Sequence, residues 1–265
     1  GILLPSGNDA ANAAAVSVSG SIPAFVQLMN SRAQELGLYD THFVTPSGLD
    51  ADGHYTTARD LAKLTAFAMR DELFRSVVSC SSADVEFGNP PYKRTLYNSN
   101  KMLRRYDGAI GVKTGFTDNA RRCLVSAAER DGVTLIAVTL NAGDDWNDHT
   151  KMLDYGFASV KSCPLDVGCG FRVAVAGTGQ YVGVYAHNAS MALLDGQRGK
   201  LTRRVLLPSF VYGTVEKGDR LGELEFLLDG EVVLECPLYA DSTVTVPEQQ
   251  PGIFREILAR LGVYI

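Results

Sequence analysis

A basic excess is missing from this sequence: 25 Lys and Arg stand against 30 Asp and Glu, a formal net charge of −5. Without surplus cations little is available to neutralise a phosphate backbone, so no nucleic-acid partner is expected. No apolar run reaches the roughly 20 residues that a membrane-spanning helix needs. The opening stretch GILLPSGNDAANAAA has no leading Met and no signal-peptide pattern. An apolar run there leads straight into a polar motif, and the expectation is a chain whose N-terminal part is missing. Cysteine is scarce. Cys80, Cys123, Cys163, Cys169 and Cys236 are odd in number and contain no CxxC pair, so zinc is not expected. Cys163 and Cys169 are near enough to bridge a short loop, but two separate thiols are the favoured reading. His42, His54, His149 and His187 form no HExxH spacing, and no metal is expected.

What is present is an ordinary globular composition, 46% apolar and 21% charged, in 265 residues, long enough for two domains. Asn8 to Ser17 is alanine-rich and reads as helix. Ile22, Phe25, Val26, Met29, Ala33 and Leu36 fall at three- and four-residue steps, one helix face, with Ser21 as cap, Pro23 in the first turn and Gly37 at the exit. Thr41 to Tyr55 is turn-rich. Residues 56–71 read as a helix with Leu61, Leu64, Thr65 and Ala68 inward. Two β-prone runs flank Asp131-Gly132, a hairpin signal. Residues 144–160 read as a helix with Trp146, Met152, Leu153 and Phe157 in the core and acids Asp144, Asp145 and Asp148 at its N-terminus, where they complement the dipole. His149, on that helix, is expected at the surface or behind a site. From about Cys163 short strands alternate with turns, and Asp229-Gly230 marks a second hairpin. The predicted domains are therefore 1–162, an all-β domain over 163–248, and a short amphipathic helix over 249–265, with Ile253, Phe254, Ile257, Leu258 and Leu261 on one side.

Two stretches carry chemistry. Ser6-Gly7-Asn8 opens the alanine-rich helix, and Lys113-Thr114-Gly115 sits among small and apolar residues that would let a lysine face a cleft at close range. Serine acyl-transferases of the S-x-x-K, S-D-N, K-T-G set use such triplets, S-G-N being a variation on the second. Alone, Ser6-Gly7-Asn8 is compatible with a helix cap and Lys113-Thr114-Gly115 with a strand end. Together, in this order and about a hundred residues apart, they point to a site.

The chain resembles the low-molecular-mass penicillin-binding proteins, serine-type D-alanyl-D-alanine carboxypeptidases. The resemblance runs through LLPSGNDAANAAA, THFVTPSGLDADGHYTTARDLAKL, YDGAIGVKTGFTDNARRCLVSAA and LGELEFLLDGEVVLECPLYA. It implies an α+β chain: a partial penicillin-binding, β-lactamase-like domain with an antiparallel sheet and helices, then a small β-sandwich. It implies that Ser6 relays a proton, Asn8 binds the substrate amide, and Lys113 charges the cleft. Thr114 would bind the substrate carboxylate, Gly115 would keep the strand edge clear, and the Phe116 N–H would face the oxyanion. The implied ligands are peptidoglycan stem peptides and β-lactam antibiotics, with no cofactor, outside the cytoplasmic membrane. Membrane contact through the last helix, against packing on the β domain, stays open, as does self-association through an exposed sheet edge.

Two departures qualify this. No serine is followed three positions later by lysine; Ser99…Lys101 and Ser159…Lys161 have a two-residue step, and on a helix a three-residue step shares a face. The nucleophile is therefore not in this chain, which alone is expected to be inactive. The segment Asn141 to Thr150 has no arginine where some relatives use one for the carboxylate, leaving Lys113 and Thr114, or Arg121 or Arg122. The alternatives are a class A-like β-lactamase, which does not explain the trailing β domain, and a non-catalytic module that holds wall peptides.

Overall fold

The computed structural model describes residues 1–246. The predicted terminal helix over 249–265 lies outside the described residues. The chain divides into two compact units, Gly1–Ser162 and Cys163–Ile265.

In the first unit, helix α1 (Asn8–Ser19) ends at Gly20, whose φ of 75° only glycine adopts freely, and the Gly20 N–H closes on the Val16 carbonyl. Helix α2 (Ile22–Glu35) is capped as expected: Ser21 Oγ accepts from the Ala24 N–H. Helix α3 (Ala58–Ala68) is shorter than its pattern suggested. A new N-cap at Asp71, accepting from the Phe74 N–H at 2.7 Å, starts α4 (Glu72–Ser79). Strands β1 (Ser82–Phe87) and β2 (Tyr92–Tyr97) form a hairpin, followed by the single turn α5 (Met102–Arg105).

The central sheet is antiparallel: β3 (Ala109–Thr117), β4 (Arg121–Arg130) and β5 (Val133–Thr139), in that order. Helix α6 (Asp145–Ser159) packs on β4 and β5, while α4 lies against β3. Core residues alternate along β4, whose Leu124 and Ala128 join Met102, Tyr106, Ala137 and Leu153, with Ala127 on the α4 side beside Val78 and Val112. This period of two is what a strand covered on both faces requires. Met152, expected in the core, is 39% exposed. A helix stripe of Trp146, Leu153 and Phe157 already covers the sheet, and position 152 falls outside it. His149 is fully buried, which corrects the surface expectation: its step of four before Leu153 puts it on the inward face.

The chain leaves this unit through β6 (Val160–Pro164). The second unit has a six-stranded sheet ordered β10 (Leu201–Leu206), β12 (Arg220–Leu228), β13 (Glu231–Ala240), β8 (Gln180–Tyr185), β7 (Phe171–Val175) and β11 (Phe210–Val211). A further strand, β9 (Ser190–Leu194), lies outside that order. The β12–β13 hairpin turns at Asp229-Gly230, where both residues have positive φ. Val173, Val175, Val182, Val184, Leu224, Phe226, Leu238 and Ala240 point to one shared core. Cys163 and Cys169 are separate thiols.

Candidate active site

The site is assembled at the open edge of β3. Among the described residues β3 pairs with β4 alone, in a register that places Lys113 opposite Val125 and Gly115 opposite Cys123. Lys113 Nζ donates to Ser6 Oγ at 2.7 Å and to the Thr114 carbonyl at 2.9 Å. Burial holds its ammonium below the ordinary lysine value of 10.5. Ser6 and Lys113 are 107 positions apart in the chain, so only the tertiary fold brings them together.

What holds Ser6 there is a framework of asparagines. Asn98, buried, donates to the carbonyls of Val78 and Cys80 and accepts from the Asn100 N–H. Asn100, also buried, accepts from the Met102 N–H at 3.0 Å. Between them, Ser99 gives both its N–H (3.1 Å) and its hydroxyl (3.3 Å) to the Leu4 carbonyl. Leu4 is itself buried. Two residues on, Ser6 sits at φ 61°, a conformation rare outside glycine, and the following Gly7 N–H closes on the Gly1 carbonyl at 3.1 Å. An unusual backbone fixed on both sides is what a positioned side chain needs.

Ser6 and Lys113 line a cleft of about 450 Å³ with Asn8, Thr114, Gly115 and Phe116. All six sequence-predicted site residues therefore share one cavity. Asn8 is exposed at the first turn of α1, and Phe116 is 64% exposed. Gly115 has no positive φ, and a Cβ there would meet nothing closer than Cys123 Cβ at 3.7 Å. The protein's own packing does not demand glycine at this position. The turn Ser47-Gly48-Leu49, which the sequence showed only as loop, forms another part of the lining. Asp50 ties that turn to the far end of β3, accepting from Thr117 Oγ1 at 2.7 Å and from the Asn119 N–H at 3.4 Å.

Arg122, the sequence's alternative holder of a carboxylate, is engaged in an ion pair. Its Nη2 donates to Asp145 Oδ1 at 2.7 Å, and Asp145 is buried. The guanidinium also sits 5.7 Å from the Trp146 ring. Arg122 and Lys101 line a second cavity of about 400 Å³ that shares Ser6, Thr114 and Phe116 with the first. Asp145 therefore does more than complement the α6 dipole; it holds an arginine at the rim of the cleft.

With this geometry in view, comparison with known proteins is decisive. The family model described as D-alanyl-D-alanine carboxypeptidase, peptidase S11, matches residues 1–144. The chain belongs to this family. A model described as the penicillin-binding protein 5 C-terminal domain matches residues 175–246 in the second unit. Among curated S11 relatives, D-alanyl-D-alanine carboxypeptidase DacF of Bacillus subtilis is 31% identical over 91% of this chain and 64% of its own length. The D-alanyl-D-alanine carboxypeptidase of Streptomyces sp. K15 is 39% identical over 60% of this chain and 59% of its own. The chain thus spans a little under two thirds of these relatives. Penicillin-binding protein 5 from Haemophilus influenzae superposes with a TM-score of 0.65 at 28% identity, covering 92% of this chain and 73% of that one. The two-part α+β architecture is that of the low-molecular-mass penicillin-binding proteins.

Proposed function

We propose that this chain supplies the substrate-holding part of a D-alanyl-D-alanine carboxypeptidase site. The reaction is removal of the terminal D-alanine from peptidoglycan pentapeptides through a serine acyl-enzyme. The observation that carries the reading is the 2.7 Å contact from Lys113 Nζ to Ser6 Oγ inside a cleft bordered by a strand edge that is unpaired among the described residues.

The chemistry follows from that contact. Because Ser6 Oγ accepts from Lys113, the serine's own proton is free to point into the cleft. It can be handed to the leaving amine of the terminal D-alanine and replaced from Lys113, whose depressed pKa eases the transfer. The peptide lies along β3 as an added strand, with main-chain hydrogen bonds giving affinity and Gly115 leaving the approach clear. Asn8 holds the peptide amide, and Thr114 with Lys113 holds the terminal carboxylate. The Phe116 N–H serves the oxyanion. The attacking serine is not among these 265 residues, since no S-x-x-K occurs in them.

The same cleft suits β-lactams, whose strained amide and carboxylate mimic the peptide terminus, so noncovalent binding is expected here. The substrate's location makes the setting extracytoplasmic. Peripheral membrane contact through residues 249–265 and self-association through an exposed sheet edge belong to the same reading. Vesicle sedimentation and analytical ultracentrifugation test them.

The central test is titration of the chain with a diacylated L-Lys-D-Ala-D-Ala peptide, followed by amide shifts, together with intact mass after fluorescent penicillin. Shifts centred on Asn8 and residues 113–117, lost in Lys113→Met, with no covalent adduct, are the expected result. A penicillin adduct overturns the assignment of the nucleophile outside this chain. Shifts confined to other surfaces overturn the site.

A further inference from the structure

One part of the cleft wall is hung on a single imidazole. His54 Nδ1 accepts from two consecutive backbone donors, the Val44 N–H at 3.0 Å and the Thr45 N–H at 3.3 Å. These residues open the segment that carries Ser47, Gly48 and Leu49 into the cleft. The rest of the segment is tied to itself: Thr45 Oγ1 donates to the Leu49 carbonyl at 3.1 Å and accepts from the Gly48 N–H at 3.2 Å. Just upstream, Asn30 of α2 clamps both backbone groups of Phe43 at 2.8 Å, and His42 pairs with Tyr55 through both main-chain bonds. Past Leu49, Asp50 anchors the segment to Thr117 of β3. The turn is therefore held at each end, and the anchor between Phe43 and the turn is His54.

We propose that His54 is the positioning residue of the cleft wall, clasping the Ser47–Leu49 turn only while its Nδ1 carries a free lone pair. The tautomer follows from the geometry. Two N–H donors cannot point at a protonated nitrogen, so Nδ1 is bare and the proton sits on Nε2. Adding a proton at Nδ1 replaces two acceptor contacts with two N–H···H–N clashes and releases Val44 and Thr45. A group whose neutral form is the one bound holds a lowered native pKa. Burial first, then the charge of His42, press His54 below 6.5, and Asp50 opposes them. His42 and Asp50 are the titratable groups facing the ring, and the Phe43 ring packs edge-on 6.0 Å away. The sign follows: the clasp is complete above pH 6.5 and is lost as pH falls through the lowered native value.

The release of the turn stands on the hydrogen bonds alone; its effect on ligand rests on the function proposed above. The experiment separates the two. Imidazole nitrogen shifts and amide exchange are measured on the full chain between about pH 7.5 and about pH 4.5, where histidine titrates. The expected result is a bare Nδ1 at the upper pH and protection of the Val44 and Thr45 amides falling about tenfold or more toward the lower, while Ala127 in β4 reports the change in global stability separately. His54→Asn places an amide oxygen near the position of Nδ1 and should keep both amides protected across the range. His54→Ala should leave them unprotected throughout. A protonated Nδ1 at the upper pH, or native protection that does not change with pH, overturns the clasp. Peptide affinity of the native chain should fall at least about threefold over the same span and stay level in His54→Asn. Absence of peptide binding at every pH, with the clasp titrating, sinks the carboxypeptidase reading and leaves the clasp standing.

Discussion

Arg122→Met is the sharpest test of how the rim of the cleft is held. Asp145 is buried at 3% exposure, and its side chain is held by Arg122 at 2.7 Å and by the adjacent Trp146 N–H at 2.8 Å. At that separation and an effective dielectric near 20 the gross attraction is on the order of 6 kcal/mol. Most of this offsets the cost of taking the carboxylate out of water, so the net worth of the pair is small. Removing one partner is different, because a buried charge is left behind at about 3–5 kcal/mol. The Arg122 side chain is 43% exposed, so solvent screens part of that, and a loss of about 2–4 kcal/mol is expected. With a urea m-value of about 2 kcal/mol/M the midpoint should fall by roughly 1–2 M. Trp146 is the sole tryptophan of the chain and lies against Arg122, so its fluorescence follows the first unit alone. The double variant Arg122→Met with Asp145→Asn removes the orphaned charge and should recover at least about half of the loss. A single variant within about 0.5 kcal/mol of the parent, or a double variant no better than the single, refutes the argument.

His149 predicts an acid limb of stability in the same unit. Burial holds it down to about 4, against the charges of Asp145 and Asp148, while its Nε2 meets Thr139 Oγ1 at 3.0 Å. The stability this contributes is present above pH 6.5 and lost as pH falls toward 4, about 3 kcal/mol in all. Urea melts read by Trp146 fluorescence should show the slope, and His149→Gln should flatten it; an unchanged slope in the variant rejects the assignment. Lys113→Met removes an ammonium that burial already disfavours. Thermal stability should hold or rise while peptide binding disappears, and retained binding would contradict the proposed role. Gly115→Ala meets only ordinary contacts, with Cys123 Cβ at 3.7 Å, so the fold should change by less than about 0.5 kcal/mol while peptide affinity falls about tenfold or more. A variant that unfolds but binds when folded would show that glycine serves packing instead.

Much of the secondary structure was legible because its causes are local. Ser21, Pro23 and Gly37 bracket α2, and Asp131-Gly132 and Asp229-Gly230 mark the turns of the two long hairpins. The β1–β2 hairpin was missed although β1, Ser82–Phe87, alternates polar with apolar residues; β2 carries little alternation, and both strands are largely exposed. The break between α3 and α4 was missed because Asp71 was read as the end of one helix when it caps the next. At the cleft, the two triplets advertised themselves, whereas the Ser47–Leu49 wall, His54 and the Asn98–Asn100 framework did not. Their roles lie in main-chain hydrogen bonds, and these leave no period in the residue pattern.

The order and chemistry of Ser6-Gly7-Asn8 and Lys113-Thr114-Gly115, the missing S-x-x-K, and the change to short strands near Cys163 are properties of the sequence itself. Each depends on residue type and spacing along the chain. That Lys113 reaches Ser6, that Arg122 is held by Asp145, and that His149 is core were decided by the tertiary structure. Each of these depends on which side chains meet across long stretches of chain and how much water is excluded between them, and neither quantity is written in local spacing.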